Sequence, residues 1–256
     1  MSVLTPNLST LLVLGGTGEA RRLAGVLVGT PGLRVVSSLA GRVKAPSLPA
    51  GEVRIGGFGG TAGLAQWLRD NRVDAVVDAT HPFAARITAH AVRACATTAT
   101  PLLVLSRPGW TAGPGDLWHW VRSLDEAARL LPDLGRRVFL TTGRQDLAAF
   151  ADLDLWFLVR SVDPPEPPVP RHSEVLLARG PFTVDGERDL LERHRIDVLV
   201  TKDSGGIMTA AKLMAARDAR IPVVVQRRPP LPSGPGVERV ESVEDAVVWV
   251  QQLLQV

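Results

Sequence analysis

Residues 57–94 and 180–217 align without a gap at a constant offset of 123, and this repeat narrows the possible folds more than any other feature. Arg72-Val73-Asp74-Ala75-Val76-Val77 faces Arg195-Ile196-Asp197-Val198-Leu199-Val200. The matches continue in the same order: Pro101-Leu102-Leu103-Val104 with Pro222-Val223-Val224-Val225, Arg107-Pro108 with Arg228-Pro229, and the run 121–127 with 240–246. Each half also opens with an apolar run ending in glycine, at 11–16 and 138–143. Two α/β segments can look alike by chance, but so many matches in one order point to duplication.

Each half alternates short β-branched or Leu-rich runs with helical stretches. Strands are expected at 11–14, 34–38, 52–55, 74–78 and 101–105, and again at 137–141, 154–160, 174–178, 197–201 and 222–226. Trp118 and Trp120 alternate around His119 in one further strand. Helices are expected at 18–28, 61–71, 83–97 and 123–131, then at 145–151, 184–194, 206–219 and 242–254. The strand runs are apolar nearly throughout, as in parallel strands covered on both faces. The fold expected is α/β, with two Rossmann-like or flavodoxin-like domains at 1–134 and 135–256 and a ligand cleft between them. The proline-rich segment 163–170 falls after the second strand of its half, opposite 44–49, and reads as a spacer or as a wall over a site.

Composition removes several classes. Hydrophobic residues at 45% and charged residues at 21% are ordinary for a folded domain, which excludes disorder as the main state. No run approaches the ~18 apolar residues of a membrane span, and the first residues do not read as a secretory leader. The single cysteine, Cys95, allows no internal disulfide and reads as a small buried hydrophobe. A reducing, cytoplasmic setting and a monomer are expected. The net charge is +3, and of 29 basic residues only Lys44, Lys202 and Lys212 are lysines. The arginines are scattered, which argues against nucleic acid and leaves either an acidic ligand or plain codon bias. Neither zinc-ligand spacing nor a nucleophile elbow is present.

In open parallel sheets ligands bind at the strand C-termini, so the residues that follow each strand are the ones to inspect. Gly15, Gly16, Thr17, Gly18 and Glu19 follow the first strand, where glycines let a diphosphate approach the backbone. The spacing departs from the three-glycine dinucleotide fingerprint, because Glu19 and Ala20 follow Gly18 directly. After the second strand, Ser38 and Arg42 stand where an NAD enzyme often carries an acid; that pairing suits a 2′-phosphate and favours NADPH. The glycine run 56–60 suggests close approach of a ligand or an irregular loop. Thr80 and His81 follow the fourth strand. In the second half, Lys202 can hold an anion and Ser204 a carboxylate, while Asp203 reads first as a helix cap. Trp110 would stack on a flat ligand or pack in the core.

The segments 14–21 (LGGTGEAR), 78–84 (DATHPFA), 107–110 (RPGW), 142–144 (TGR), 179–182 (RGPF) and 201–206 (TKDSGG) together resemble the precorrin-6A reductase family of cobalamin biosynthesis. The resemblance runs over about residues 11–254. It implies two α/β domains, NADPH as cofactor, and reduction of one double bond of a ring-contracted tetrapyrrole to give precorrin-6B; the family also has a cobalt-containing counterpart. On that reading the cofactor lies on the first glycine turn with Thr80 nearby. Arg107, Arg144, Arg160, Lys202 and Ser204 face substrate carboxylates, and His81 or Asp203 supplies the proton. Two other classes stay open at this point: a two-domain glycosyl- or nucleotide-transferase, and a bilobal binding protein without catalysis.

Overall fold

The structure, a computed structural model, describes residues 8–41, 47–232, 234 and 236–256. The first elements are β1 (Ser9–Leu14), α1 (Gly18–Leu27), β2 (Leu33–Leu39), β3 (Glu52–Ile55), α2 (Gly60–Asp70), β4 (Ala75–Asp78), α3 (Ala85–Thr98) and β5 (Leu102–Leu105). Next come β6 (Trp118–Val121), α4 (Leu124–Leu134), β7 (Arg137–Leu140), β8 (Trp156–Ser161), β9 (His172–Leu177) and α5 (Val184–Arg193). The last are β10 (Val198–Lys202), α6 (Ala211–Asp218), β11 (Val223–Gln226), β12 (Val237–Val240) and α7 (Val243–Leu254). Thr17, Ser123, Thr183 and Ser242 cap α1, α4, α5 and α7, each accepting a backbone N–H three residues on.

Two parallel six-stranded sheets result, in the orders β12-β5-β4-β1-β2-β3 and β6-β11-β10-β7-β8-β9. With β1 matched to β7, β2 to β8, β3 to β9, β4 to β10 and β5 to β11, the two orders are the same. The sixth place, however, is exchanged: β12 lies beside β5, and β6 beside β11. The chain accordingly forms one unit from Met1–Arg107 with Pro229–Val256 and a second from Pro108–Arg228. The boundary expected between 134 and 135 therefore falls inside the second unit. The repeat could not show this, because the outer edges of β5 and β11 are alike and the choice between them is made over long range. Packing follows the exchange. Val243, Ala246 and Val250 of α7 join Leu11, Val13, Leu23 and Leu27 in the first unit, whereas Leu124, Ala127 and Leu131 of α4 join Val138, Leu140 and Phe157 in the second.

Both faces of each sheet are covered. In the first unit Leu11 and Val13 face α1 and α7, and the intervening Leu12 and Leu14 face α2 and α3. In the second, Phe139 and Leu199 face α5 and α6. Two expected helices change form: 145–151 holds only a 3₁₀ turn at Leu147–Phe150, and 206–219 is helical only from Ala211, after a 3₁₀ turn at Ile207–Thr209. Gly205 and Gly206 have φ of 64° and 76°, outside the right-handed helical region, so the helix does not extend back through them.

The duplication persists in a strained detail. Arg72 and Arg195, 123 apart, adopt φ of 48° and 49° just past α2 and α5. Val73 and Ile196 then return their N–H to Leu68 and Leu191, each at 2.9 Å, and all four of those side chains are buried. This is the Schellman helix end with arginine where glycine is usual. Arg72→Gly and Arg195→Gly should each stabilise the fold by about 0.5–1 kcal/mol, since the left-handed penalty outweighs glycine's extra unfolded entropy. Urea unfolding against the matching alanine variants checks this; glycine variants no more stable than alanine ones would refute it.

Candidate functional site

The first unit carries a cavity of about 570 Å³ where the C-terminal ends of β1 and β2, the turn after β3 and the residues after β4 meet the first turns of α2 and α3. One wall is bare backbone. Gly16, Gly56, Gly57, Gly59 and Gly60 line the cavity, and a Cβ on any of them would meet nothing within 4 Å. Gly16 needs its glycine doubly, because its φ is +115°. The glycines therefore leave main-chain N–H and C=O groups approachable, as a phosphate-bearing ligand requires. Among the described residues no Asp or Glu lines the cavity, whereas His81, Arg86 and His90 do.

Of the expected cofactor residues, Gly15, Gly16, Ser38 and Thr80 line this cavity, as does the expected proton donor His81. Thr17 is committed elsewhere. Its hydroxyl donates to Ala79 O at 2.7 Å and accepts Ala20 N–H at 3.1 Å, which ties the β1 and β4 turns together. Gly18 opens α1, and Glu19 binds Arg107 at 2.5 Å. Arg42 lies outside the described residues. The lining residues Phe58, Phe83, Arg86 and Ile87 were not anticipated. The glycine run 56–60 was a signal for the first and the segment 78–84 for the second; the α3 residues Arg86 and Ile87 had none, because their spacing is that of any helix face.

Asp78 anchors this end of β4. Its Oδ1 accepts Thr80 N–H at 3.0 Å and the Thr80 hydroxyl at 2.7 Å, which fixes Thr80 against the cavity. Among the described residues Oδ2 has no hydrogen-bond partner, and burial pushes the carboxyl pKa up despite the threonine bonds. His81 Nδ1 accepts Phe83 N–H at 3.3 Å, so the neutral ring carries its proton on Nε2.

The second unit binds its polar strand ends to one another. Asp203 does not cap α6. Its Oδ1 accepts Trp110 N–H at 2.9 Å, its Oδ2 lies 3.3 Å from Arg228 Nε, and its carbonyl accepts from the same Nε. A Cβ on Gly109 would sit 2.6 Å from Asp203, and one on Gly205 2.2 Å from Pro108 O, so the loops at 108–110 and 203–206 are closely packed. Trp110 donates from its indole to Gly206 O and packs on the core. Lys202 pairs with Asp146, Ser204 bonds back to Lys202 O, and Arg144 lies half-buried in the turn after β7. Arg160 and Glu187 form a buried pair at 2.5 Å, with the guanidinium over Phe182. Lys212, not singled out from the sequence as a site residue, lies buried nearby. It donates to Thr209 O at 3.1 Å and stands 5.1 Å from the Trp110 ring. Burial, reinforced by Arg160 and opposed by Glu187, brings its pKa down to about 7.

A doubly wound α/β protein with a glycine-walled, carboxylate-free crevice at its strand ends belongs to the class that binds phosphorylated cofactors. Comparison with known proteins specifies the class further. The family model described as "Precorrin-6x reductase CbiJ/CobK" matches residues 10–251, and the chain belongs to this family of reductases. It is 58% identical to a precorrin-6A reductase of Rhodococcus erythropolis over 96% of this chain and 99% of the relative. It is 52% identical to one of Mycobacterium tuberculosis over the same shares. A solved structure, "CobK precorrin-6A reductase", superposes with a TM-score of 0.89 at 43% identity, covering 96% of this chain and 97% of that one.

Two titrations follow from the burial. Asp78 holds its proton more tightly folded than unfolded, so its stabilising contribution is complete below about pH 3.8 and is lost as pH climbs through the raised value. Asp78→Asn should therefore gain on the wild type steadily as pH rises; parallel stability curves from urea unfolding would refute this. Lys212 works the opposite way. The unfolded chain binds the extra proton between about pH 7 and 10.5, so wild-type stability rises across that window. Lys212→Met should show its largest advantage at pH 7 and below and lose it by pH 10.5; an advantage independent of pH would contradict the burial argument.

Proposed function

We propose that this chain reduces precorrin-6A to precorrin-6B with NADPH, the dinucleotide lying in the glycine-walled cavity of the first unit. Family membership supplies the reaction class, and the relatives 58% and 52% identical both carry the cobalt-free substrate in their names. The observation that carries the cofactor reading is the cavity wall: five glycines without neighbours beside a lining that holds no carboxylate. Ser37 and Ser38 directly precede Leu39, which ends β2, close to where a carboxylate would otherwise bind an unphosphorylated ribose.

NADPH supplies a hydride, and the chain's own groups hold the cofactor and deliver a proton. Gly15 and Gly16 let the diphosphate approach the main chain, and Thr80, fixed by Asp78, offers its side of the cavity. Bound there, NADPH would supply the hydride for one carbon of the substrate double bond and become NADP⁺, while a proton from the chain would go to the neighbouring carbon. We assign that proton to His81, which lines the cavity. Asp203, bound to Trp110 and Arg228, serves instead as a tie between two loops. Arg107, Arg144, Lys202 and Ser204 are kept as the groups assigned to substrate carboxylates, Arg107 and Lys202 by exchanging their present partners Glu19 and Asp146, while Arg160 is held in a buried pair with Glu187. A monomeric, cytoplasmic enzyme fits this reading; among the described residues no helix is long and apolar enough to cross a membrane.

Purified precorrin-6A mixed with the enzyme should consume NADPH mole for mole, and no oxidation would refute the assignment. His81→Ala should slow single-turnover hydride transfer about 10²- to 10⁴-fold and flatten its pH profile. An unchanged rate and profile would remove His81 from the mechanism.

A further inference from the structure

We infer that Arg54, at the end of β3, reads the 2′-phosphate of the dinucleotide and sets the preference for NADPH over NADH; this rests on the reading that the cavity holds a dinucleotide. The β2–β3 register places Ser38 opposite Arg54, so both side chains leave the same face of the sheet. That face is the one where Val36, Leu64 and Phe58 cluster and where the cavity opens. Arg54 Nη1 reaches Ser38 Oγ at 3.3 Å and Gly56 O at 2.6 Å, and Nη2 reaches Gly57 O at 2.7 Å. Ser38, Gly56 and Gly57 all line the cavity. The guanidinium carbon lies 3.7 Å from the centre of the Phe58 ring, itself a cavity wall, and Phe58 is braced edge-on by Trp67.

This cation lacks the carboxylate partner that several other arginines of the chain have. Arg107, Arg160 and Arg228 each meet a carboxylate, but among the described residues no Asp or Glu lies within ion-pair distance of Arg54. Its described acceptors are two carbonyls and a hydroxyl, which use three of its five N–H groups. Burial is accordingly the only cause acting on its pKa, and lowers it. A guanidinium held flat on an aromatic ring, with donors unspent and no counter-charge, is a preorganised phosphate fork. Its place in the fold selects which phosphate. The residue at the end of β2 meets the adenosine ribose in this class of crevice, and Arg54 is hydrogen-bonded to that residue. Arg86, the exposed arginine among the lining residues, starts α3 on another wall.

The test is titration of the intact chain with NADPH and with NADH, followed by nicotinamide fluorescence, for the wild type, Arg54→Gln and Arg54→Lys. The wild type should bind NADPH more tightly. Arg54→Gln should weaken NADPH about tenfold to a hundredfold while leaving NADH within about twofold, and Arg54→Lys should recover part of the difference. Competition by 2′,5′-ADP against ADP should lose its preference in the same variant. Equal weakening of both nucleotides would show that Arg54 only braces its loop, and overturns the inference. So does an unchanged NADPH affinity, which passes the role to Arg42 or Arg86. Equal affinities in the wild type defeat the inference but leave the dinucleotide reading standing. Wild-type protein that binds neither nucleotide defeats both.

Discussion

Each sheet completes its edge with a strand and helix drawn from the other half of the sequence, and the rest of the structure depends on that exchange. The α7 side chains Val243, Ala246 and Val250 cover one face of a sheet whose strands β1 to β5 lie more than 130 residues earlier. The α4 side chains Leu124, Ala127 and Leu131 do the same for strands that come after them. Neither half of the duplicated sequence contains its own complete core. Burial is therefore gained only when both crossings are made, at Arg107-Pro108 and Arg228-Pro229, which are themselves equivalent positions of the repeat. The first crossing also binds back into each unit: Arg107 holds Glu19 on α1, while Pro108 and Trp110 are held by Arg228 and Asp203.

The sequence made local features legible and hid those that arise from distant partners. Strand positions could be read because parallel strands buried on both faces are continuous apolar runs, and Leu11 to Leu14 supply both faces in turn. The cavity residues Gly15, Gly16, Ser38, Thr80 and His81 could be read for a related reason: the topology alone sends strand C-termini to the ligand. The exchange of β6 and β12 could not, because two equivalent sheet edges present the same pattern. Asp203 looked like a helix cap or an acid until its partner, 93 residues away, was known. Arg54 sits within a strand, and nothing in its local sequence marks it; only the register with Ser38 and the ring of Phe58 give it a place.

Much of the arginine-rich composition is used internally. Arg107, Arg160 and Arg228 each answer a carboxylate inside their own unit, and Lys202 answers Asp146. Counting basic residues therefore overstates what is available to an acidic ligand. Buried pairs such as Arg160–Glu187 contribute less to net stability than their short distance suggests, because both charges give up water. Their effect is geometric, since a guanidinium held over Phe182 and fixed to Glu187 cannot swing out, which stiffens the end of β8.

What remains for an anion is decided by which carboxylates are kept away. The first unit places an acid, Asp78, at the end of β4, two residues from the cavity-lining Thr80. Burial raises its pKa, and its Oδ1 is turned onto Thr80, so the acid acts as a splint for the threonine. With no carboxylate among the described lining residues, the cavity is walled by glycine backbone, two histidines and Arg86, with Arg54 bound to its lining residues. The same fold could bind an unphosphorylated ribose by placing an acid at Ser38. On the proposed reading its serine, backed by a cation from the next strand, reverses the sign at the one position where the two nicotinamide cofactors differ.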